Sequence, residues 1–302
     1  MPDDMREYIH QRKKELGALI MAHYYQPPEI QEVADLVGDS LQLAREAAAT
    51  DARVVVTCGV SFMAESAKIL SPEKIILLPE PQAGCPMADM VTAAALREKK
   101  QQHPGAAVVC YVNSSAEVKA ESDICCTSAN ALEVVKSIPR EREILFVPDR
   151  NLGAYIARQT GREMILWEGC CPIHDVLTVA EVQKEKELHP QALLVVHPEC
   201  PPQVTEMADA VRSTGGILKY VGSRPETEFI IGTEEGFLYP LQKKYPDKQF
   251  FLARSDFQCR DMKTITMEKL AASLRRLEYQ VEVPGEILRG ARAALERMLV
   301  IG

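Results

Sequence analysis

The chain has 302 residues, of which 46% are hydrophobic and 26% charged, and its formal net charge is −8. This length predicts two or three compact units, and the acidic balance argues against a nucleic-acid partner, which would require a basic face. The apolar runs are too short to span a membrane, and the charged N-terminus lacks the apolar core of a signal peptide, so we expect a cytoplasmic protein without a membrane partner.

Short aliphatic runs bounded by turn-forming residues predict buried strands along the whole chain. The first run covers residues 19–25, a helical pattern follows over residues 29–37, and a second helix is predicted to open at Ser40. The later strands are predicted, in chain order, at residues 53–57, 74–78, 108–113, 143–147, 163–167, 194–199, 228–231 and 249–252. Helical patterns separate these strands, and a last helical segment covers residues 266–302.

Three cysteines recur at nearly constant spacing, since Cys171 follows Cys85 by 86 residues and Cys259 follows Cys171 by 88. Three further sets of polar positions keep the same register, and each position lies at a predicted strand end or helix start. These sets are His23, Tyr111 and His197; Tyr25, Asn113 and Glu199; and Ser40, Ser128 and Thr214. Four matches in register indicate a triplicated unit.

Strands that alternate with helices, and that are apolar throughout, are typical of parallel sheets with helices on both faces. We therefore predict an α/β fold of three similar three-layer α/β/α domains with parallel sheets, related by pseudo-threefold symmetry. Ligands of such sheets bind beyond the carboxyl ends of the strands, so we expect the active site at the central interface. The predicted units are residues 1–87, 88–174 and 175–261, followed by a C-terminal helical tail over 262–302.

The three repeated cysteines predict a metal centre. Thiolates from three separate loops can bind zinc or an iron–sulfur cluster, but structural zinc sites use four protein ligands, often in C-x₂-C pairs that these positions lack. A [4Fe–4S] cluster normally has four thiolate ligands, so a cluster with three keeps one iron open as a Lewis acid. His174 is a possible fourth ligand, although a histidine packed beside the site is the favoured interpretation.

The other six of the nine cysteines are expected to be inert, because a free cysteine usually behaves as a small buried hydrophobe. An odd number of cysteines without a secretory signal also favours a reducing compartment over a disulfide scaffold. The six lie in or beside apolar stretches and are Cys58, Cys110, Cys125, Cys126, Cys170 and Cys200.

Several motifs around these positions resemble the quinolinate synthase family. Together they cover the chain from about residue 20 to residue 263. They are HYYQPPEIQ at 23–31, GDS at 38–40, FMAE at 62–65, AGCPMADM at 83–90, YVNSS at 111–115, WEGCCPIH at 167–174, HPEC at 197–200, ST at 213–214 and GTEEG at 232–236. The family's W-x-G-x-C-x-V-H pattern selects Cys171 as the ligand, with Cys170 beside it. The C-x-x-C-x-x-C run of some members is absent near Cys259, and with it any thiol switch.

The resemblance implies an enzyme that condenses iminoaspartate (iminosuccinate) with dihydroxyacetone phosphate to quinolinate, releasing phosphate and water, in de novo NAD biosynthesis. It implies an oxygen-sensitive [4Fe–4S] cluster bound by Cys85, Cys171 and Cys259, whose open iron is the Lewis acid. It also implies a functional link to L-aspartate oxidase, which supplies the iminoaspartate.

These substrates suggest roles for the residues of the repeat. Proton transfer is assigned to Tyr25, Tyr111 and Glu199, and we expect burial to raise the pKa of Glu199. The hydroxyls at helix starts suit anionic oxygens, although plain helix capping is the simpler alternative. The predicted substrate-binding residues are His23, Ser40, Phe62, Tyr111, Asn113, Ser128, His197, Glu199 and Thr214.

Two other functions stay open at this point. An aconitase-like hydro-lyase would use the same open iron on another small carboxylate. A non-catalytic iron–sulfur sensor or electron carrier is disfavoured, because a carrier would use four cysteine ligands and no ring of histidine, tyrosine, asparagine and glutamate. Lys219 is a further candidate for closing the pocket.

Overall fold

The structure is a computed structural model and describes residues 2–301. The first segment contains α1 (Pro2–Leu16), β1 (Ala18–His23), α2 (Pro28–Val33), β2 (Leu36–Gly38), α3 (Ser40–Ala49), β3 (Val54–Cys58), α4 (Ser61–Leu70) and β4 (Ile75–Leu77). The second contains α5 (Ala93–Gln102), β5 (Ala107–Tyr111), α6 (Ala116–Ala120), β6 (Ile124–Cys126), α7 (Ala131–Ser137), β7 (Ile144–Val147), α8 (Arg150–Thr160) and β8 (Ile165–Leu166).

The third segment contains α9 (Val179–Leu188), β9 (Leu193–Val196), α10 (Pro202–Met207), β10 (Ala210–Val211), α11 (Thr214–Ser223), β11 (Glu228–Gly232), α12 (Leu238–Lys244) and β12 (Gln249–Leu252). Two helices follow, α13 (Met267–Arg276) and α14 (Gly285–Leu299). Short 3₁₀ turns cover Ala88–Met90, Glu235–Phe237 and Asp261–Lys263.

The strands form three four-stranded sheets within residues 2–301, and every pairing between these strands is parallel. The orders are β2-β1-β3-β4, β6-β5-β7-β8 and β10-β9-β11-β12, so the first strand of each segment lies inside its sheet. The inner strands β3 and β5 are buried at every residue, which explains their unbroken apolar sequence. The predicted α/β fold class with parallel sheets is confirmed at this level.

One short edge strand per sheet was missing from the sequence prediction: β2, β6 and β10. The predicted helix over residues 29–37 was wrong in its second half, because α2 ends at Val33 and the chain then becomes extended into β2. An aspartate fixes this turn, since Asp35 accepts a hydrogen bond from the backbone N–H of Ile20 at 2.8 Å through its side chain. Asp123 and Asp209 make the same contact in the other sheets, also at 2.8 Å.

The hydroxyl positions at the helix starts differ from simple caps. The cap of α3 is Asp39, whose side chain accepts from the N–H of Gln42, so Ser40 is the first helical residue. The cap of α11 is Ser213 in the same way, and Thr214 is the first residue inside. Capping is therefore done by the preceding residue, which leaves the hydroxyls of Ser40 and Thr214 available for other partners.

In the second segment the prediction of a hydroxyl opening a helix was wrong. Helix α7 begins at Ala131, three residues after Ser128. Thr127 and Asn130 close the turn that precedes this helix, since the Asn130 side-chain oxygen accepts a hydrogen bond from the backbone N–H of Thr127 at 2.9 Å. Ser128 therefore lies in a loop that precedes the helix.

The C-terminal segment packs on the first two sheets. Backbone hydrogen bonds join Leu78 to Tyr279 and Val281 to Ile76, so residues 279–281 run along the exposed side of β4. Helix α14 lies against α4, α6 and β6, and α13 lies against α1. The side-chain amide of Asn130 donates to the carbonyl of Ile301 at 2.9 Å and so fastens the end of this segment.

Candidate functional site

The structure brings every predicted site residue to the wall of one cavity, whose free space together with the part open to solvent is about 850 Å³. These residues are His23, Tyr25, Ser40, Phe62, Cys85, Tyr111, Asn113, Ser128, Cys171, His197, Glu199, Thr214 and Cys259. Tyr25, Tyr111 and Glu199 come from the carboxyl ends of β1, β5 and β9, the first strand of each sheet. Lys219 lies exposed on α11 and is not part of the wall.

The three repeated cysteines share a local geometry. The backbone N–H three residues downstream donates to each sulfur: Ala88 to Cys85, His174 to Cys171 and Met262 to Cys259. Each of these side chains is partly open to the cavity, whereas Cys58, Cys110, Cys125, Cys126 and Cys200 are buried, as predicted for inert thiols. N–H groups directed at sulfur stabilise the thiolate, which is the form that binds metal.

Burial dominates the protonation of these thiols. It raises the pKa of Cys85 to about 12 and that of Cys259 to about 11, and it raises the pKa of Cys171 well above its usual value. Negative charge on Glu199 adds to the effect at Cys85 and Cys171. The charges of the sulfurs also oppose one another's ionisation, Cys259 acting on Cys85 and Cys85 on Cys171. Three such thiols would ionise together only beside a cation.

Two buried carboxyl groups contact the cysteine loops, and sequence reasoning missed both. Glu234 accepts a hydrogen bond from the backbone N–H of Cys259 at 3.1 Å. The backbone of Cys171 donates to Asp149, and both carboxyl groups are fully shielded from solvent. The sequence repeat could have identified both carboxyl groups. Asp149 and Glu234 each lie two residues beyond matching strand positions, Val147 and Gly232 respectively.

Cys170 is separate from this group. Its sulfur lies 3.4 Å from the Asp175 carboxylate, and Cys171 rather than Cys170 is part of the cavity wall. Cys170 is partly exposed, unlike the five buried cysteines, so the expectation of a buried thiol does not hold for it. The Asp175 carboxylate also pairs with Arg150 at 2.9 Å, and the side chains of this ion pair are partly exposed.

The histidines His23 and His197 are oriented by the residue two positions later. The backbone N–H of Tyr25 donates to Nδ1 of His23 at 3.2 Å, and that of Glu199 donates to Nδ1 of His197 at 3.4 Å. Burial lowers the pKa of His23 to about 3 and also lowers that of His197. In the neutral ring, Nδ1 as acceptor leaves Nε2 as the donor. This arrangement favours the Nε2–H tautomer in His23, whereas Nδ1 of His197 also lies 3.4 Å from Oε2 of Glu199, which favours a hydrogen on Nδ1.

Glu199 lies at the centre of the polar groups. Its Oε1 accepts from the phenol of Tyr111 at 2.7 Å, and its Oε2 lies 2.7 Å from Nδ1 of His174. The expectation that burial would raise the pKa of Glu199 was wrong. Burial opposes ionisation, but the charges and hydrogen bonds of His197 and His174 outweigh it and hold the pKa of Glu199 well below its usual value.

The pKa values of the two tyrosines shift in the opposite direction from that of Glu199. Burial, together with the Glu199 charge, raises the pKa of Tyr25 and of Tyr111 well above the usual value. Both phenols therefore carry their protons at neutral pH and can donate hydrogen bonds. The site thus combines an ionised carboxylate with two protonated phenols.

His174 and Thr233 complete the network. Nε2 of His174 lies 2.9 Å from the Thr233 hydroxyl, which also lies 2.6 Å from the phenol oxygen of Tyr25. Nδ1 of His174 is 3.2 Å from the Cys171 sulfur, and ligand atoms of Cys171, His174 and Glu199 all lie within 4.8 Å of one another. Both ring nitrogens of His174 have hydrogen-bond partners, which accounts for this histidine without metal ligation. Sequence reasoning did not assign Thr233.

The remaining wall residues offer polar and apolar surface. The Ser128 hydroxyl lies 3.1 Å from Nε2 of His197. Oδ1 of Asn113 is buried and has no hydrogen-bond partner within residues 2–301, so a bound molecule with a donor group would satisfy it. Phe62, at the start of α4, contributes an aromatic surface to the cavity.

Comparisons with known proteins agree on one family. Residues 7–300 match the family described as quinolinate synthetase A protein. The quinolinate synthase of Desulforudis audaxviator is 52% identical over 299 residues, which are 99% of each chain. Quinolinate synthase 2 of Methanosarcina acetivorans is 52% identical over 295 residues, 98% of this chain and 95% of its own. The quinolinate synthase of Geotalea uraniireducens is 52% identical over 299 residues, 99% of this chain and 98% of its own.

Proposed function

This chain belongs to the quinolinate synthetase A family, and from that premise we propose that it condenses iminoaspartate with dihydroxyacetone phosphate to quinolinate, releasing phosphate and water. It is an enzyme, and its function is quinolinate synthesis for NAD biosynthesis. The observation that carries the detailed proposal is the cavity that combines three thiols with an ionised carboxylate and two protonated phenols.

The donor set fits a [4Fe–4S] cluster bound by Cys85, Cys171 and Cys259. The fit rests on three thiols on one wall, each with a backbone N–H aimed at its sulfur, whose ionisation requires a nearby cation. When bound, such a cluster supplies an open iron that acts as a Lewis acid on a substrate oxygen.

The substrates carry carboxylate and phosphate groups, and the wall offers donors for them without a basic cluster. His23 presents Nε2–H, His197 places its Nε2 3.1 Å from the Ser128 hydroxyl, and the hydroxyls of Ser40 and Thr214 lie free of capping at the starts of α3 and α11. A helix start favours anions because its free N–H groups carry partial positive charge. We assign these residues, with Ser128 and the side-chain amide N–H of Asn113, to binding the anionic groups, and Phe62 to packing against the ring that forms.

The condensation moves protons at the enolisation, imine and dehydration steps. Glu199, being ionised, is assigned the base that removes a proton from the substrate. Tyr25 and Tyr111, being protonated, are assigned the donors to oxygens that leave as water. The phenol of Tyr111 donates a hydrogen bond to Glu199 and so stabilises the ionised carboxylate between turnovers.

The architecture and partners form part of the same proposal. We propose three similar units over residues 1–87, 88–174 and 175–261, arranged around a pseudo-threefold axis with the active site at their interface and a tail over 262–302. The identical strand order of the three sheets supports this arrangement. We also propose a cytoplasmic location and L-aspartate oxidase as the source of iminoaspartate. In residues 2–301 no helix is both long and apolar enough to cross a membrane.

The test of this function is product formation. The protein is reconstituted anaerobically with iron and sulfide and assayed with iminoaspartate and dihydroxyacetone phosphate. Quinolinate and phosphate in equal amounts are expected. An iron-loaded protein that forms no quinolinate would overturn the proposal.

The role of Glu199 has a separate test. We expect Glu199→Gln to lower kcat by about 100- to 10,000-fold, because an amide cannot accept the proton. Iron content should stay at the wild-type level, since the amide preserves the size of the side chain. The matched control is Glu168→Gln, which changes an exposed glutamate close to Cys171 in the sequence and should leave kcat unchanged. Full turnover in Glu199→Gln would remove the assignment.

A further inference from the structure

A second, smaller cavity adjoins the first one. Its free space together with the part open to solvent is about 350 Å³, and the centre of a water molecule can occupy about 20 Å³ of this space. Ser40 and Phe62 line both cavities, so the two spaces meet at these residues. Most of the remaining wall is apolar and includes Met63 on α4 and Leu295 on α14. Because a buried water needs about 10–15 Å³ of such space, this cavity has room for one.

One polar group on the wall of this second cavity has no partner. The hydroxyl oxygen of Thr57, a residue of β3 that is only 1% exposed, makes no hydrogen bond to any atom of residues 2–301. A buried hydroxyl without a partner costs free energy, and such groups in folded proteins are normally satisfied by protein atoms or by ordered water. A molecule bound in the cavity would satisfy Thr57.

The hydroxyls on the wall define the chemistry of that molecule. Ser66 donates its hydroxyl hydrogen to the carbonyl of Phe62 at 2.7 Å, so toward the cavity its oxygen can only accept. Ser40 does not cap α3, which leaves its oxygen free to accept as well, and Thr57 has a hydrogen to donate. A ligand that accepts one hydrogen bond and donates two, in a space for one small molecule, is water.

We propose that the second cavity is a binding site for one water molecule, which accepts a hydrogen bond from Thr57 and donates to Ser40 and Ser66. Since this water occupies the acceptor side of the Ser40 oxygen, it turns the Ser40 O–H toward the main cavity and strengthens it as a donor. This effect on Ser40 rests on the proposed function, which assigns Ser40 to an anionic group of the substrate. The water site itself does not rest on it.

The first experiment is an anaerobic crystal structure of the reconstituted holoenzyme, at a resolution that shows buried water molecules. It compares the wild type with Thr57→Val, which keeps the shape of threonine without the hydroxyl, and with Thr57→Ser, which keeps the hydroxyl. We expect a water within hydrogen-bond distance of Thr57, Ser40 and Ser66 in the wild type. It should remain in Thr57→Ser and be lost in Thr57→Val. A dry cavity in the wild type, or a water that does not contact Thr57, would overturn the inference.

Thermal unfolding of the holoenzyme gives a second readout that does not depend on activity. If water satisfies the hydroxyl, Thr57→Val breaks a hydrogen bond and should lower Tm by about 2–4 °C. If the hydroxyl has no partner, valine removes an unsatisfied buried group and Tm should rise instead, which would contradict the proposal. Thr160→Val is the matched control, because the Thr160 hydroxyl donates directly to the carbonyl of Ile156 at 2.8 Å on α8. Its loss calibrates the shift expected for one hydrogen bond.

Steady-state kinetics test the effect on Ser40. We expect Thr57→Val to raise KM for one of the two substrates by about 3- to 10-fold with little change in kcat, because a weakened hydrogen bond to an anionic group reduces binding. Thr57→Ser should keep the wild-type KM, and so should Thr160→Val, since Thr160 is not on the wall of either cavity. In Ser40→Ala/Thr57→Val the rise should be no larger than in Ser40→Ala alone, since both changes act on one contact.

Two kinetic results would remove the effect on Ser40: a wild-type KM for both substrates in Thr57→Val, and independent, multiplicative effects in the double variant. A wild-type enzyme that forms no quinolinate contradicts the proposed function instead. In that case the crystal structure and the unfolding temperature still decide whether the water site exists, so the two failures are distinguishable.

Discussion

The backbone N–H of Gly84 donates a hydrogen bond to the Asp261 carboxylate at 3.1 Å, and this contact joins the loop of Cys85 to the loop of Cys259. Together with Asp149 at Cys171 and Glu234 at Cys259, it gives every cysteine loop of the cavity a carboxyl group bonded to its backbone. Carboxyl groups behind ligand loops orient the ligands of metal centres.

The Gly84–Asp261 contact predicts a difference between two substitutions. Asp261→Ala removes the acceptor and frees the Cys85 loop, so iron loss to a chelator should become about tenfold faster. Asp261→Asn retains a side-chain oxygen for the Gly84 N–H and should release iron at the wild-type rate. The measurement is the anaerobic release rate of iron from the reconstituted protein. Equal release rates for Asp261→Ala and wild type would contradict the prediction.

Substitutions of the adjacent residues Cys170 and Cys171 should differ in their effect on cluster binding. Cys171→Ala should abolish stable cluster binding, because it removes one of three thiols on the cavity wall. Cys170→Ala should keep the full iron and sulfide content, since Cys170 lies outside that wall. Iron and sulfide per chain and the visible spectrum after reconstitution are the readouts. A cluster lost in Cys170→Ala and kept in Cys171→Ala would exchange the roles of the two residues.

The ion pair between Glu234 and Lys263 predicts a stability effect. Their charged atoms are 2.8 Å apart, Glu234 is fully buried, and burial raises the pKa of Glu234 even beside the lysine. Glu234→Gln leaves Lys263 without its anionic partner and should lower the free energy of unfolding by about 2–3 kcal/mol. Adding Lys263→Met should recover part of this loss, because a whole buried pair costs less to remove than one partner.

Urea denaturation measures both variants, with an exposed pair as the control. Glu296→Gln breaks the surface pair of Arg292 and Glu296 and should change stability by less than about 0.5 kcal/mol. An equal, small effect at both pairs would show that the Glu234–Lys263 contact contributes little.

The buried histidines predict that acid destabilises the fold. The pKa of His23 is about 3 in the folded protein and 6.5 in a free side chain, so between these values the unfolded chain binds more protons. Stability therefore falls as pH decreases through this window, by up to about 1.4 kcal/mol per pH unit for this group. The lowered pKa values of His197 and Glu199 act in the same direction.

Denaturation of the metal-free protein at pH 7 and pH 5 tests this sign. His23→Asn should lose less stability between the two values than the wild type, whereas His10→Asn, at an exposed position of α1, should lose as much as the wild type. A steeper loss in His23→Asn would show that the sign is wrong.

The sequence predicted the fold class because the central strands are unbroken apolar runs, such as residues 54–58 of β3. It missed β2, β6 and β10 because these strands have only two or three residues and directly follow a helix. Their signal was present in the aspartates Asp35, Asp123 and Asp209, which keep the spacing of the repeat. An aspartate that bonds to the neighbouring strand is recognised only when that neighbour is known.

The site was predictable where the repeat places similar groups in all three units, and these residues do lie on one cavity. Thr233, Asp149 and Glu234 were missed because they act by contacts with residues that are distant in the sequence, such as Tyr25 for Thr233 and Cys171 for Asp149. The protonation of Glu199 was wrong because the prediction considered only its apolar neighbours, whereas Nδ1 of His174 and Nδ1 of His197 lie 2.7 Å and 3.4 Å from its carboxylate.

The C-terminal segment also has a consequence for biosynthesis. Residues 279–281 and α14 leave the ribosome after the first and second segments, yet they cover β4 and pack on α4 and α6 of those segments. The early parts of the nascent polypeptide consequently emerge with an uncovered strand edge and an uncovered helical groove. These surfaces stay uncovered until α14 has been synthesised, so a polypeptide that stalls before it exposes adhesive surface that quality-control chaperones recognise.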